Sequence, residues 1–140
     1  MNYIFRPPAK SYDLKLTFEG ISEYVRKGRN DTRRMLGTTI SLRAGFRSEA
    51  FADVAVVRLY DTDIAYVNRD GSIEILEAVN AHGSQATTYW IQKVLRDNGA
   101  PGLVGRVKGL YSQAGMKWTG TEWIERYPGA VRRSARLVSR

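Results

Sequence analysis

Leu14, Leu16 and Phe18 alternate with Lys15 and Thr17, the two-residue period of a strand with one buried face. Gly20 is expected to end that strand, and Ile21 to Val25 fits either one helical turn or a strand end. The run RKGRNDTRR from Arg26 to Arg34 carries Gly28, Asn30 and Asp31 and predicts a loop. Thr38 to Leu42 (TTISL) is β-branched and predicts a strand, followed by a turn at Gly45 and Arg47-Ser48-Glu49. From Ala52 to Tyr60 the pattern places Ala55, Val57 and Leu59 on one face, with Val54, Val56, Arg58 and Tyr60 on the other. Ile64 to Val67 is the next strand. Asn68-Arg69-Asp70-Gly71 is a tight hairpin turn, because glycine accepts positive φ. Ser72 to Leu76 returns with Ile73 and Ile75 facing one way. The three runs predict an antiparallel meander.

A helical period follows. Trp90, Ile91, Val94 and Leu95 form one apolar stripe, Thr87 or Thr88 is a suitable N-cap, and Gly99 with Pro101 supplies the stop. Beyond it, Val107, Leu110 and Tyr111 fall in one candidate strand. Met116 and Trp118 fall in a second, and Trp123 and Ile124 in a third after a turn at Thr119-Gly120. The fold class expected is α+β: a mainly antiparallel sheet of meander hairpins with one central helix, residues 88–98, on one face. Residues 1–130 read as a single domain, with an extended, peripheral start at Phe5-Arg6-Pro7-Pro8. Residues 131–140 (VRRSARLVSR) read as a basic tail, either helical along a phosphate backbone or disordered until bound.

Composition adds limits. The 140 residues are 43% apolar and 26% charged, enough for one core without staples. The absence of cysteine excludes disulfides, thiol nucleophiles and cysteine metal sites. No apolar run approaches the roughly 18–20 residues of a membrane span, and the N-terminus lacks a secretory h-region. These features predict a cytoplasmic protein, with no membrane partner.

Charge is the most informative global feature. The net charge is +8, yet Glu49 to Glu77 holds seven acids against Arg58 and Arg69. The basic excess therefore lies in Arg26–Arg34, in Arg43 and Arg47, and from Arg106 onwards. Arginine presents a planar fork suited to phosphate. If these segments share a face, Arg26, Lys27, Arg29, Arg33, Arg34, Arg132, Arg133 and Arg136 form a phosphate-binding surface, and Tyr111, Trp118 or Tyr127 stack on unpaired bases. The partner expected is nucleic acid, of either type, or a host protein–nucleic-acid complex. The competing assignment leaves the arginines solvated and the tryptophans in the core.

Other motifs carry less. Asp61 and Asp63, with Asp53 as a third ligand, offer a divalent-cation site only on a continuous strand; Asp-Thr-Asp between two β runs is better read as a bend. His82, with Glu77 or Asp63, is the one acid–base pairing available to a nuclease. A non-enzymatic role without metal or cofactor is expected. Gly83, Ser84, Thr87 and Thr88 either cap the helix or hold a phosphate at its N-terminus.

One resemblance covers about two thirds of the chain. Its residues are Asn30-Asp31-Thr32, Leu59-Tyr60-Asp61-Thr62-Asp63-Ile64, Asp70-Gly71, Gly83, and Ala86-Thr87-Thr88 running into Ile91 and Leu95. The pattern resembles that of small uncharacterised bacteriophage proteins, which carry histidine where this chain has Tyr60. The resemblance implies a phage accessory protein acting in the host cytoplasm. Alternatives at this level are an inhibitor docking on a host defence or transcription protein, and a virion or assembly component.

Overall fold

The computed structural model describes residues 14–35, 38–44, 53–81, 84–102, 106–107 and 110–126. Two helices pack on a sheet. The helices are α1 (Phe18–Arg26) and α2 (Gln85–Asp97). The strands are β1 (Thr32–Arg34), β2 (Ile40–Ala44), β3 (Val54–Leu59), β4 (Thr62–Asn68), β5 (Ile73–Ile75), β6 (Arg106–Val107), β7 (Leu110–Tyr111), β8 (Met116–Trp118) and β9 (Trp123–Glu125). Seven strands form an antiparallel sheet in the order β1-β2-β3-β4-β5-β8-β9, and β6 pairs with β7 separately. The α+β class and the meander are as the periodicity predicts. Among the described residues no helix is long and apolar enough to cross a membrane.

One sheet face is apolar. Ile40, Leu42 and Ala44 of β2, Ala55, Val57 and Leu59 of β3, Ala65 and Val67 of β4, and Ile73 and Ile75 of β5 are buried in one cluster. The stripe Trp90, Ile91, Val94 and Leu95 of α2 joins that cluster, each side chain contributing roughly 1.5–3 kcal/mol of transfer free energy. Phe18, Ile21 and Val25 of α1 join it at helical spacing. The strand expected from Leu14 to Phe18 is therefore replaced by a helix. Thr17 caps it, accepting from the Gly20 N–H at 3.0 Å, so the two-residue alternation ends at the cap. Gly20 sits in the first turn because a Cβ there would lie 2.1 Å from the Lys15 carbonyl oxygen.

Helix α2 starts earlier than expected. Its cap is Ser84, whose Oγ accepts from the Thr87 N–H at 3.1 Å, while Thr87 itself is buried. Its end is bound to α1's approach. Asp97 Oδ2 accepts from the Leu16 N–H at 2.9 Å and from Lys93 Nζ at 2.8 Å, and Asn98 Nδ2 donates to the Leu16 carbonyl at 2.8 Å. Gly99 then takes φ +71°.

The strand expected over Val107 to Tyr111 is two short strands forming their own hairpin. Tyr111 binds that hairpin to α2: its hydroxyl lies 2.6 Å from Thr88 Oγ1, and its N–H donates to Asn80 Oδ1 at 2.7 Å. The main sheet resumes at β8, where Ile73 pairs with Trp118 and Glu74 with Lys117. The boundary expected at residue 130, and the tail after it, lie outside the described residues.

Candidate nucleic-acid interface

Alternation along a strand sends neighbouring side chains to opposite faces. In β1, Arg33 pairs with the buried Leu42 and so faces the helices, whereas Arg34 pairs with Ser41 on the outer face. Arg33 packs over the Tyr24 ring, 4.2 Å from its centroid, and donates to the Tyr24 carbonyl at 3.0 Å. Arg34 Nε donates to the Thr38 carbonyl at 2.9 Å. Ser41 also pairs with Arg58, which puts Arg34 and Arg58 on the outer face on either side of it. Arg43 faces Thr32 in the neighbouring register, its Nε donating to Thr32 Oγ1 at 3.1 Å.

Arg26 and Lys27 sit at the C-terminal end of α1, where the helix dipole favours cations. Both pair with Glu23. Their side chains are 66% and 65% exposed, so these ion pairs contribute little, and a phosphate can compete for them. Arg29 is exposed in the following loop. Arg26, Lys27, Arg29, Arg33 and Arg34 therefore gather at the β1 edge of the sheet. Arg43 and Arg58, from two other strands, extend the group across the outer face. Tyr127, Arg132, Arg133 and Arg136 lie outside the described residues, as does His82.

The aromatic residues expected to stack are elsewhere. Tyr111 is buried at 2% exposure, so its ring presents no face to solvent. Trp118 pairs with Ile73 and Trp123 at the opposite end of the sheet, half-buried, with the two indole centroids 5.6 Å apart. The one large apolar side chain exposed among the described residues is Tyr60, at 62%. The sequence pattern places it at the end of the Ala52–Tyr60 strand, whereas it is the first residue of the turn, because Leu59 already pairs with Thr62.

The Asp61-Thr62-Asp63 stretch resolves into a two-residue hairpin turn and the start of β4. Leu59 pairs with Thr62, leaving Tyr60 and Asp61 as the loop. Tyr60 adopts φ +52°, the one positive value outside glycine among the described residues. Arg58 Nη2 donates to the Asp61 carbonyl at 2.9 Å. A register shift then pairs Val57 with Ala65 but Arg58 with Asp63, making Ile64 an extra residue. Regular alternation would send Asp63 to the same buried side as Ala65 and Val67. The bulge turns it outward, 3.7 Å from Arg58 Nη1. That distance is an ion pair too long for a hydrogen bond, and Asp63 Oδ1 is buried without one. Among the described residues no cluster of His, Asp and Glu is placed to hold a metal ion.

Next to this turn lies a cavity of about 350 Å³, walled by Tyr60, Asp61, Thr62 and Ile64 on one side and by Ser84 and Thr87 on the other. The two polar motifs singled out along the chain, Asp-Thr-Asp and the start of α2, thus meet at one end of the sheet. Ser84 is engaged in capping and Thr88 in the contact with Tyr111.

A second group of carboxylates lies on β5 and the segment after it, away from β1. Arg126 donates to Glu74 Oε1 at 3.0 Å and to Glu77 Oε2 at 2.9 Å, with its own side chain 7% exposed. Asp70, in the β4–β5 turn, is held below the usual carboxylate range, chiefly because Ser72 Oγ donates to it at 2.6 Å, with the Ser72 N–H at 2.9 Å and the Lys117 charge adding to this. Neither protein-family comparison nor comparison with curated proteins and solved structures yields a match.

Proposed function

We propose that the chain is a phage-encoded accessory protein that binds nucleic acid, free or within a host complex, through the basic corner formed by the end of α1, the following loop and β1. The observation that carries this reading is the clustering of cations along the β1 edge, with Arg26, Lys27, Arg29 and Arg33 on the α1 side and Arg34, Arg43 and Arg58 on the outer face. Seven cations along this edge, with Glu23 and Asp63 as their paired acids, make the local field positive, which raises the association rate with polyanions. The phage origin rests on the sequence resemblance alone.

Salt titration of binding to a labelled oligonucleotide tests the reading. Affinity should fall steeply with salt, by roughly 0.7–0.9 log units per log unit of salt for each phosphate contacted. Arg29→Glu should weaken binding and flatten that slope, whereas Arg96→Glu, the same charge change at the end of α2, should leave both near wild type. Equal effects from the two variants would reduce the reading to non-specific net charge. Capture of a host protein that survives nuclease treatment, with no affinity for free nucleic acid, would instead identify a protein-docking inhibitor.

A further inference from the structure

Tyr60 is placed against the preferences of its own turn. Two-residue hairpin loops put glycine, asparagine or aspartate where φ is positive. A tyrosine at φ +52° costs on the order of 1–2 kcal/mol and still leaves the residue 62% exposed. Neither core packing nor turn geometry accounts for that ring. It stands beside a cavity lined by Leu59, Asp61, Thr62, Ser84 and Thr87, with the Ser84 hydroxyl already accepting from the Thr87 N–H. On the outer side of the same turn, Arg58 holds the Asp61 carbonyl, and Arg34 lies across Ser41 from Arg58.

We propose that Tyr60 and this cavity receive an unpaired base of a single-stranded nucleic acid, whose phosphates lie on Arg58 and Arg34. The proposal rests on the nucleic-acid reading above and adds strand type and contact residues to it. An aromatic ring next to arginines is the combination that binds single strands, the ring stacking on the base and the cations following the backbone. Asp61 fits a base better than a phosphate, since a carboxylate accepts from exocyclic amines and repels phosphate oxygens. The same end of the sheet is poorly shaped for a duplex. Strands β1 to β5 span about 19 Å at the usual strand spacing, against a major groove about 12 Å wide. The Tyr60 turn does not protrude from the sheet as a separate finger, because the Tyr60 N–H donates to the Thr39 carbonyl at 2.9 Å.

The test uses the full chain and fluorescence anisotropy. Single-stranded DNA and single-stranded RNA of one mixed sequence are compared with the corresponding duplexes at equal salt. Wild type should prefer a single strand of either chemistry. Tyr60→Gly suits the positive φ and removes the ring; its melting temperature verifies folding. It should weaken single-strand binding on the order of ten-fold and leave duplex binding unchanged. Tyr60→Phe, which keeps ring and backbone strain alike, should bind as wild type does. If Tyr60→Gly binds single strands at full affinity, or loses single-strand and duplex binding equally, the proposal is overturned while the basic corner stands. If no nucleic acid binds to the wild type, the basic-corner reading falls with it.

Discussion

The Tyr24 hydroxyl donates to the Arg34 carbonyl at 2.8 Å, from α1 to the outermost strand of the sheet. That carbonyl belongs to β1, which has β2 on one side only. An edge strand presents unpaired backbone groups that recruit further strands, and proteins blunt such edges with charge or cover. Here Tyr24 occupies the acceptor and Arg33 lies over the Tyr24 ring at 4.2 Å. Tyr24→Phe keeps the ring but releases the carbonyl. It should cost about 0.5–1 kcal/mol in urea unfolding and increase concentration-dependent self-association in light scattering. An unchanged mass at high concentration would show that Arg33 and its neighbours protect the edge alone.

Gly20→Ala opposes two effects. Alanine in a helix is favoured over glycine by about 1 kcal/mol. The added Cβ, however, would lie 2.1 Å from the Lys15 carbonyl oxygen, a backbone atom that cannot rotate away. The clash should dominate, giving a net destabilisation of about 1–3 kcal/mol. Thermal unfolding decides it, and a higher melting temperature would mean that residues 15–17 shift freely.

Asp97 binds the approach to α1 to the end of α2, with a side chain 4% exposed and Lys93 at 9%. Asp97→Ala would strand a buried ammonium and the Leu16 N–H, at a cost of about 3–5 kcal/mol. Lys93→Met removes the other charge and leaves Asp97 its backbone donor, so it should cost clearly less. Chemical unfolding of the two variants gives the order, and the reverse order would place the main requirement on the lysine.

Asp70 makes stability depend on pH. Its carboxyl titrates below the usual range because Ser72 donates to it. A lowered folded-state pKa contributes stability that is present above the unfolded pKa and is lost as pH falls through the folded one. Ser72→Ala should therefore destabilise at neutral pH, and the gap from wild type should narrow as pH drops through the carboxylate range. Urea midpoints at several pH values measure this, with the Asp70 carboxyl titration followed by NMR. A gap independent of pH would assign the role of Ser72 to its contact with Asn68 instead.

Much of the fold is legible in local pattern. The facing of Ala55, Val57 and Leu59, the Asp70-Gly71 turn and the α2 stripe all follow from periodicity, because each is set by neighbours within a few residues. Three features are not. Helix α1 was masked by the alternation of Leu14, Leu16 and Phe18, although Phe18, Ile21 and Val25 already carry helical spacing behind a Thr17 cap. The Ile64 bulge depends on the register with β3. The β5–β8 pairing joins segments separated by residues 76–115. The candidate interface divides in the same way. The arginines of residues 26–34 are visible as a run, but their separation onto two faces, and the addition of Arg43 and Arg58, require the strand register. Chemistry alone marks Tyr111 and Trp118; burial withdraws Tyr111 from solvent, and the β5–β8 pairing puts the half-buried Trp118 at the far end of the sheet from β1.

The pairing of β5 with β8 also has a consequence for synthesis. A ribosome that has released residues 14–81 has already supplied five consecutive strands with local partners, while the outer side of Ile73–Ile75 waits for Met116–Trp118. Closing that gap means bringing together segments separated by residues 76–115, which include α2 and the β6–β7 pair, a slow entropic step compared with hairpin formation. During that interval the nascent chain exposes an unfinished β edge. Ribosome-arrested fragments ending before residue 116 should therefore need chaperone protection that longer ones do not.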